Sequence, residues 1–176
     1  MLNNYPIESY TPERIQETYL IIHPNVLERY HITLWEFHGV FERGSNFSHL
    51  KYPIEDKHWN IYEDSEWYYM SLRFDDLDVK KKIAAASKIK NTSKRVAYRY
   101  KKIMNMNNDD RIEFMRDTIQ KKYDNSEWRR EMLIKTWERE IIEFTYWWDE
   151  FFWISHDKRQ WRNVLGKLHM EYRDNL

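Results

Sequence analysis

Turn-forming residues are scarce in this chain, and their scarcity limits the folds open to it. The 176 residues include three glycines and four prolines. Because tight turns depend on these two residue types, so few of them favour long helices joined by few connections. Apolar side chains also recur at intervals of three and four, the spacing of one face of an α-helix. The sequence therefore predicts an all-α protein, folded as an antiparallel helical bundle.

The pattern changes along the chain, and we divide it at residue 78. Residues 1–78 predict an N-terminal helical hairpin followed, from residue 45 onward, by an irregular connector that is acidic and rich in aromatic residues. Residues 79–176 predict a basic helix and an antiparallel bundle, because apolar stripes alternate there with short polar joins. A chain of 176 residues fits a single structural domain.

Two predicted helices in the second region carry clear apolar stripes. The first stripe has offsets of three, four and four and is formed by Ile112, Met115, Ile119 and Tyr123. A longer helix is predicted to begin near Leu133 and to extend to residue 151. Its aromatic face is formed by Trp137, Phe144, Trp148 and Phe151. We expect these four rings to be buried, in the core or in an interface, where aromatic residues are enriched.

Charge is distributed unevenly although the formal net charge is zero. Between Val79 and Asn105 the chain carries ten Lys or Arg residues and no Asp or Glu, whereas the stretch from Tyr52 to Asp78 holds eight acids. A lone basic helix usually meets a negative partner. The partner is expected to be a nucleic acid, an acidic protein or a membrane surface.

Most catalytic chemistry leaves a residue pattern that this sequence lacks. Cysteine is absent, which excludes disulfides and cysteine nucleophiles. The seven histidines show no metal-binding spacing, and the glycines are too scattered for a phosphate-binding loop. No secretory leader or bilayer-spanning stretch is evident. We therefore predict a non-enzymatic interaction subunit with no metal and no directly bound cofactor.

Two motifs on basic helices resemble those of the LYR-motif (complex I LYR-like) proteins. Tyr98-Arg99 matches the Tyr-Arg of their first helix, with Ala97 where leucine is usual. Arg116-Asp117 and Ile119 match the pattern of their second helix, with Tyr123 in place of a phenylalanine. The resemblance covers about residues 93–144 and implies a three-helix unit.

The resemblance also implies a partner and a location. LYR proteins bind an acidic acyl carrier protein through the basic face of these helices. The acyl-phosphopantetheine chain of the carrier protein inserts between the helices. The implied partner-binding residues are Tyr98, Arg99, Lys101, Lys102, Arg116, Lys121, Lys122 and Tyr123. The implied role is a mitochondrial accessory or assembly subunit of a respiratory complex such as complex I, peripheral on the matrix side.

Nucleic-acid binding is the alternative interpretation. Residues 83–87, 88–91 and 92–104 could form a helix-turn-helix whose second helix enters the major groove. Ten cations without an acid suit phosphate contacts, and exposed rings would suit stacking on single strands. Under this hypothesis the chain would be a phage, plasmid or ribosome-associated protein, either cytoplasmic or virus-encoded.

Overall fold

The computed structural model describes residues 2–9, 14, 19–22, 46, 49–88, 106–145, 151–152, 154–155 and 160–176. The chain divides into two compact units. The terminal unit combines Met1–Ser48 with Trp128–Leu176, and the central unit is His49–Glu127. The division predicted at residue 78 falls inside a helix of the central unit.

The described residues contain both helices and strands. The helices are α1 (Ser65–Leu72), α2 (Leu77–Ser87), α3 (Asn108–Asp124), α4 (Glu127–Ile134) and α5 (Val164–Asp174), with a short 3-10 turn at Leu2–Asn4. The strands are β1 (Glu8–Ser9), β2 (Tyr19–Ile22), β3 (Ile54–Glu55), β4 (Ile61–Tyr62), β5 (Ile141–Thr145), β6 (Ile154–Ser155) and β7 (Gln160–Trp161). The all-α bundle prediction is therefore wrong, and the fold is α/β.

A three-stranded parallel sheet organises the terminal unit. Its strand order is β2-β5-β6, with Tyr19 opposite Ile141 and Phe144 opposite Ile154. Ile141 and Ile142, in the central strand β5, are fully buried. Buried, β-branched residues at successive positions are typical of a parallel strand covered on both faces.

The prediction of one long helix from Leu133 to residue 151 is also wrong, because part of that segment forms strand β5. Helix α4 ends at Ile134, and the chain turns before entering β5. Trp137 lies in that turn and is exposed rather than buried. Phe144 belongs to β5, Phe151 is half-buried with its ring 4.9 Å from that of Phe152, and Trp148 lies outside the described residues. Apolar residues three or four apart also fit buried strands and turns, so spacing alone misassigned the segment.

Helix α5 is fixed against β5 by a buried asparagine. Asn163, just before the helix, donates from Nδ2 to the Ile141 carbonyl (2.8 Å) and accepts from the Glu143 amide (3.2 Å). Gly166 then approaches the same Ile141 carbonyl so closely that a Cβ atom would clash with it. The antiparallel pair β1–β7 joins the start of the chain to the segment before α5.

The central unit is mostly helical and has its own core. The β3–β4 hairpin packs Ile54 and Tyr62 inward, onto apolar residues of α1 and α2 such as Trp67 and Ile83. Helix α3 agrees with its predicted apolar stripe, since all four residues of the stripe are buried. The helix ends at Asp124 and is capped by Asn107, whereas the sequence had suggested Asn108 or Asp109 as the cap. The predicted irregular connector is partly wrong, because its residues form β3, β4 and α1.

Candidate functional site

Helix α1 presents charged and aromatic side chains at helical spacing. Asp64 caps its first turn by accepting the Trp67 amide at 3.0 Å. Glu66, Tyr69 and Arg73 follow at intervals of three and four, so they lie along one side of the helix. Trp67 and Tyr68 point into the core of the central unit. The helix is therefore anchored by one side while the other carries functional groups.

Arg111 of α3 completes this group of side chains, which we call the α1 cluster: Glu66, Tyr69, Arg73 and Arg111. The Arg111 side chain donates a hydrogen bond to the Tyr69 hydroxyl. The Arg73 guanidinium carbon lies 5.8 Å from the centre of the Tyr69 ring. The guanidinium groups of Arg73 and Arg111 therefore both lie next to the Tyr69 side chain.

The Arg73 guanidinium is held in place but retains an unused donor. Its Nη1 donates to the Met70 sulfur at 3.3 Å. Its Nε is buried and has no acceptor within the part of the chain that the structure describes. Buried polar atoms in proteins are nearly always hydrogen-bonded, so an orphaned guanidinium donor calls for an explanation, and a bound anion supplies one.

The electrostatics of the α1 cluster keep Tyr69 neutral. Burial raises the pKa of the Tyr69 hydroxyl to about 12, the nearby Arg73 and Arg111 partly oppose the rise, and Glu66 adds to it. The phenol therefore keeps its proton at neutral pH and can act as a hydrogen-bond donor.

The carboxyl group of Asp64 has an unusual affinity for protons. Burial raises its pKa to about 7, and the charge of Glu63 adds to the rise. The amides of Trp67 and Glu66 and the charge of Lys122 only partly compensate. A carboxyl that titrates near neutrality, two residues before Glu66, is typical of functional sites.

Of the predicted partner-binding residues, four lie outside the described residues and four lie on α3. Tyr98, Arg99, Lys101 and Lys102 belong to the first set. Arg116 is half-exposed and pairs with Glu113, and the Lys121 ammonium lies 5.9 Å from the Tyr68 ring centre. Lys122 and Tyr123 are completely buried in the central unit. Partner contacts by Arg116 and Lys121 stay predictions.

Sequence reasoning missed the α1 cluster. Glu66, Tyr69 and Arg73, on α1 and at its C-terminal cap, had helical spacing in the sequence. They fell, however, in the stretch assigned to an irregular connector. The sequence did contain a signal for the start of this helix. Asp64 is a typical N-cap residue, and it is followed by an acid, Glu66, in the first turn. Arg111 could not be added from sequence, because only packing brings α3 against α1.

Other kinds of site are not found in the described part of the chain. No group of three His, Asp or Glu side chains there could hold a metal ion. No described helix is long and apolar enough to cross a membrane.

Comparison with known proteins identifies the family. The sequence model of the NADAR domain matches residues 34–176, most of the chain. The chain belongs to the NADAR family. The NMR structure of the E. coli protein YbiA is similar over 92% of this chain and 86% of YbiA, with a TM-score of 0.63 and 19% identity. At that identity the likeness shows the fold alone. Among curated proteins, none matches the sequence.

Membership of the NADAR family overturns several predictions. The assignment to the LYR-motif family and the role as a complex I accessory subunit are wrong. The nucleic-acid-binding alternative is not supported either. The prediction of a non-enzyme is also wrong, since NADAR proteins are generally enzyme-like. An acyl carrier protein partner, its acyl-phosphopantetheine chain and a mitochondrial location came from the LYR resemblance and stay untested.

Proposed function

We propose that this NADAR protein is a hydrolase that cleaves the N-glycosidic bond of a phosphorylated riboside, with the α1 cluster as its site. Riboside hydrolase activity occurs in the NADAR family, which supports the reaction type. The observation that carries the assignment to this site is the buried Arg73 Nε, a charged donor without an acceptor in the described residues.

Arg73 and Arg111 would bind the phosphate group of the substrate. Guanidinium groups match phosphate oxygens with paired, charge-assisted hydrogen bonds. Arg111 is fixed by its bond to Tyr69, and Arg73 by Met70 and by the position of its guanidinium near the Tyr69 ring. Both cations are therefore arranged before the ligand arrives, which lowers the entropic cost of binding.

Glu66 is the group suited to the bond cleavage. Glycoside hydrolysis passes through an oxocarbenium-like transition state, which a nearby carboxylate stabilises. Glu66 would take a proton from the attacking water as the bond between the ribose C1′ and the base nitrogen breaks. The water oxygen bonds to C1′, the electron pair of the broken bond goes to the nitrogen, and the proton passes from Glu66 to that nitrogen. Free base and ribose phosphate are the products.

The test measures release of reducing sugar from matched ribosides with and without a 5′-phosphate. The wild-type protein should prefer the phosphorylated member of a pair. The R73Q variant should raise KM for that member by about 10–150-fold and remove the preference, as expected for loss of a charged hydrogen bond. The E66Q variant should lower kcat with little change in KM, because its role is confined to the reacting bond.

Two variants on α3 serve as matched controls. Arg116→Gln removes a cation from the same helix as Arg111, and Glu113→Gln removes its exposed ionic partner. Both should leave kcat and KM unchanged. Absence of sugar release from every riboside tested, or equal losses in R73Q and R116Q, would reject the proposed function.

A further inference from the structure

The first turn of α1 is held from two sides. On one side, the Trp67 and Tyr68 rings are buried in the core of the central unit. On the other, the Asp64 carboxyl accepts the Trp67 amide at 3.0 Å and also accepts the amide of Glu66. Glu66 is the group assigned to bond cleavage, so Asp64 binds the backbone of the residue on which the proposed reaction depends.

Helix α3 packs along α1 and contributes different charges at its two ends. At the C-terminal end of α1, Tyr69 and Arg73 lie next to Arg111, near the start of α3. At the N-terminal end, the charge of Lys122 acts on Asp64. Lys122 is fully buried and lies about three helical turns further along α3 than Arg111. The capping carboxyl and the two arginines therefore lie at opposite ends of α1.

Burial and nearby charges act in opposite directions on the Asp64 carboxyl. Burial is the largest effect and disfavours the ionised form, and the charge of Glu63 acts in the same direction. The two capped amides and the charge of Lys122 favour the ionised form. The pKa of Asp64 is raised to about 7 as a result, so this carboxyl changes charge near neutral pH.

Other titratable groups near this end of α1 are exposed to solvent. The His49 imidazole lies 3.7 Å from the Glu63 carboxylate and is exposed. Helix α2 ends beside Glu63 with Ser87, whose uncharged hydroxyl accepts the Glu63 amide at 3.3 Å. Lys88, the next residue, is exposed. Among these groups, Asp64 is the one whose side chain accepts amides of the first turn of α1.

We propose that Asp64 is a positioning residue for the hydrolysis, whose ionised carboxylate fixes the backbone of Glu66 and whose protonation loosens it. This role rests on the function proposed above. Hydrogen bonds to an ionised acceptor are roughly twice as strong as those to a neutral one, and the helix dipole also favours a negative charge at this end. Small displacements of a catalytic group greatly lower the rate. The ionised form should therefore be the more active one.

Asp64→Asn separates the charge from the cap, because asparagine also caps helices but does not ionise. The wild-type kcat should rise about threefold to tenfold between pH 6 and pH 8, the factor expected for charge assistance to a hydrogen bond. The variant should lack this rise, and its kcat at pH 8 should be lower than that of the wild type by the same factor. KM should not change, because the phosphate-binding arginines lie at the other end of α1. The variant does not bury a charge and should be at least as stable as the wild type at pH 8, so a lower kcat would not come from unfolding.

The amide resonances of Glu66 and Trp67 report on the capping bonds without requiring catalysis. In nitrogen–proton correlation spectra of the full wild-type chain, both should shift between pH 6 and pH 8 with a common midpoint near the pKa of Asp64. In Asp64→Asn they should stay constant over this range. Asp76→Asn is the matched control, since Asp76 caps α2 by accepting two amides of that helix. It should behave like the wild type in both measurements.

The possible outcomes separate this role from the proposed function. Amide resonances that titrate equally in the wild type and in Asp64→Asn, or an equal pH dependence of kcat in both, would overturn the positioning role. So would a rise in KM without a fall in kcat, or the same loss of kcat in Asp76→Asn. A protein that cleaves no riboside would reject the proposed function, and with it the role of Asp64 in catalysis, even if the amide resonances titrate.

Discussion

Burial changes the pKa values of individual side chains in the central unit. Asp64 shows the effect most clearly, because the fold raises its pKa to about 7 while the same group in an unfolded chain titrates near 4. The carboxyl caps α1, which carries Glu66 and Tyr69 and is followed directly by Arg73, its C-cap residue. The protonation state of Asp64 therefore affects both the stability of the central unit and the α1 cluster.

The stability of the central unit should depend on pH through Asp64. A folded-state pKa above the unfolded value means that the folded chain holds this proton more tightly, so the contribution is fully present below about pH 4 and is lost as pH rises through about 7. The loss should be on the order of 2–4 kcal/mol. Asp64→Asn stays neutral and still caps a helix, so urea unfolding should show wild type and variant diverging from pH 4 to pH 8, with the variant more stable at pH 8. A constant difference across this range would show that Asp64 does not titrate as described.

Elements in the terminal unit approach each other more closely than ordinary side chains allow. Helix α5 meets strand β5 at Gly166, and Asn163 adds two buried hydrogen bonds to the backbone of the same strand. Asn163 itself adopts a left-handed φ of 46°, which asparagine tolerates better than most residues. Both residues are therefore explained by the packing of one helix on one strand.

Gly166→Ala tests this packing. The added Cβ would clash with the Ile141 carbonyl, a backbone atom that can move only by separating α5 from β5. We expect the free energy of unfolding to fall by about 1–3 kcal/mol, as in other overpacked cores. Chemical denaturation measures the change, with Gln120→Ala on the exposed side of α3 as a control that should stay within about 0.5 kcal/mol. A neutral Gly166→Ala would mean that the helix and strand are farther apart.

At the scale of the whole molecule, the beginning and the end of the chain meet in one unit. Glu8 of β1 pairs with Lys167 of α5 and, at 2.7 Å, with Arg14. Arg14 also contacts Glu140 at 2.6 Å, and the Tyr5 hydroxyl donates to Glu171. Apart from the Glu8–Arg14 pair, these contacts join residues more than one hundred positions apart. Closing the terminal unit therefore carries a large chain-entropy cost, which these contacts help to offset.

Removing the carboxylate of Glu8 should weaken this closure in a salt-dependent way. Burial raises the pKa of Glu8, but Lys167 and Arg14 more than offset it and hold the pKa below its usual value. Its contribution is therefore present above about pH 4.5 and is lost as pH falls through the lowered pKa. Glu8→Gln should lower the free energy of unfolding by about 1 kcal/mol at neutral pH and low salt, and by less at high salt.

Thermal unfolding at two salt concentrations and at two pH values checks this expectation. The exposed Glu131→Gln is the control, and it should change little under any of these conditions. If Glu8→Gln loses as much stability at acid pH as at neutral pH, the ion pairs are not the cause.

The residues of α3 and its immediate neighbours were sufficient to predict that this segment is a helix. Its capping residue Asn107, its stripe from Ile112 to Tyr123 and its last residue Asp124 lie within eighteen residues. Helical hydrogen bonds join residues only four apart. The helical spacing of Glu66, Tyr69 and Arg73 was likewise present in the sequence, although its meaning was not. Features that depend on near neighbours along the chain could therefore be read before the structure.

Tertiary structure alone decided β5 and the site. Ile141 to Thr145 becomes a strand because β2, more than one hundred residues earlier, and β6 satisfy its backbone on both edges. The α1 cluster likewise needs Arg111, which lies 38 residues after Arg73 in the sequence. Strand pairing and site assembly both depend on contacts between distant residues, and the spacing of residues along one segment carries no information about them.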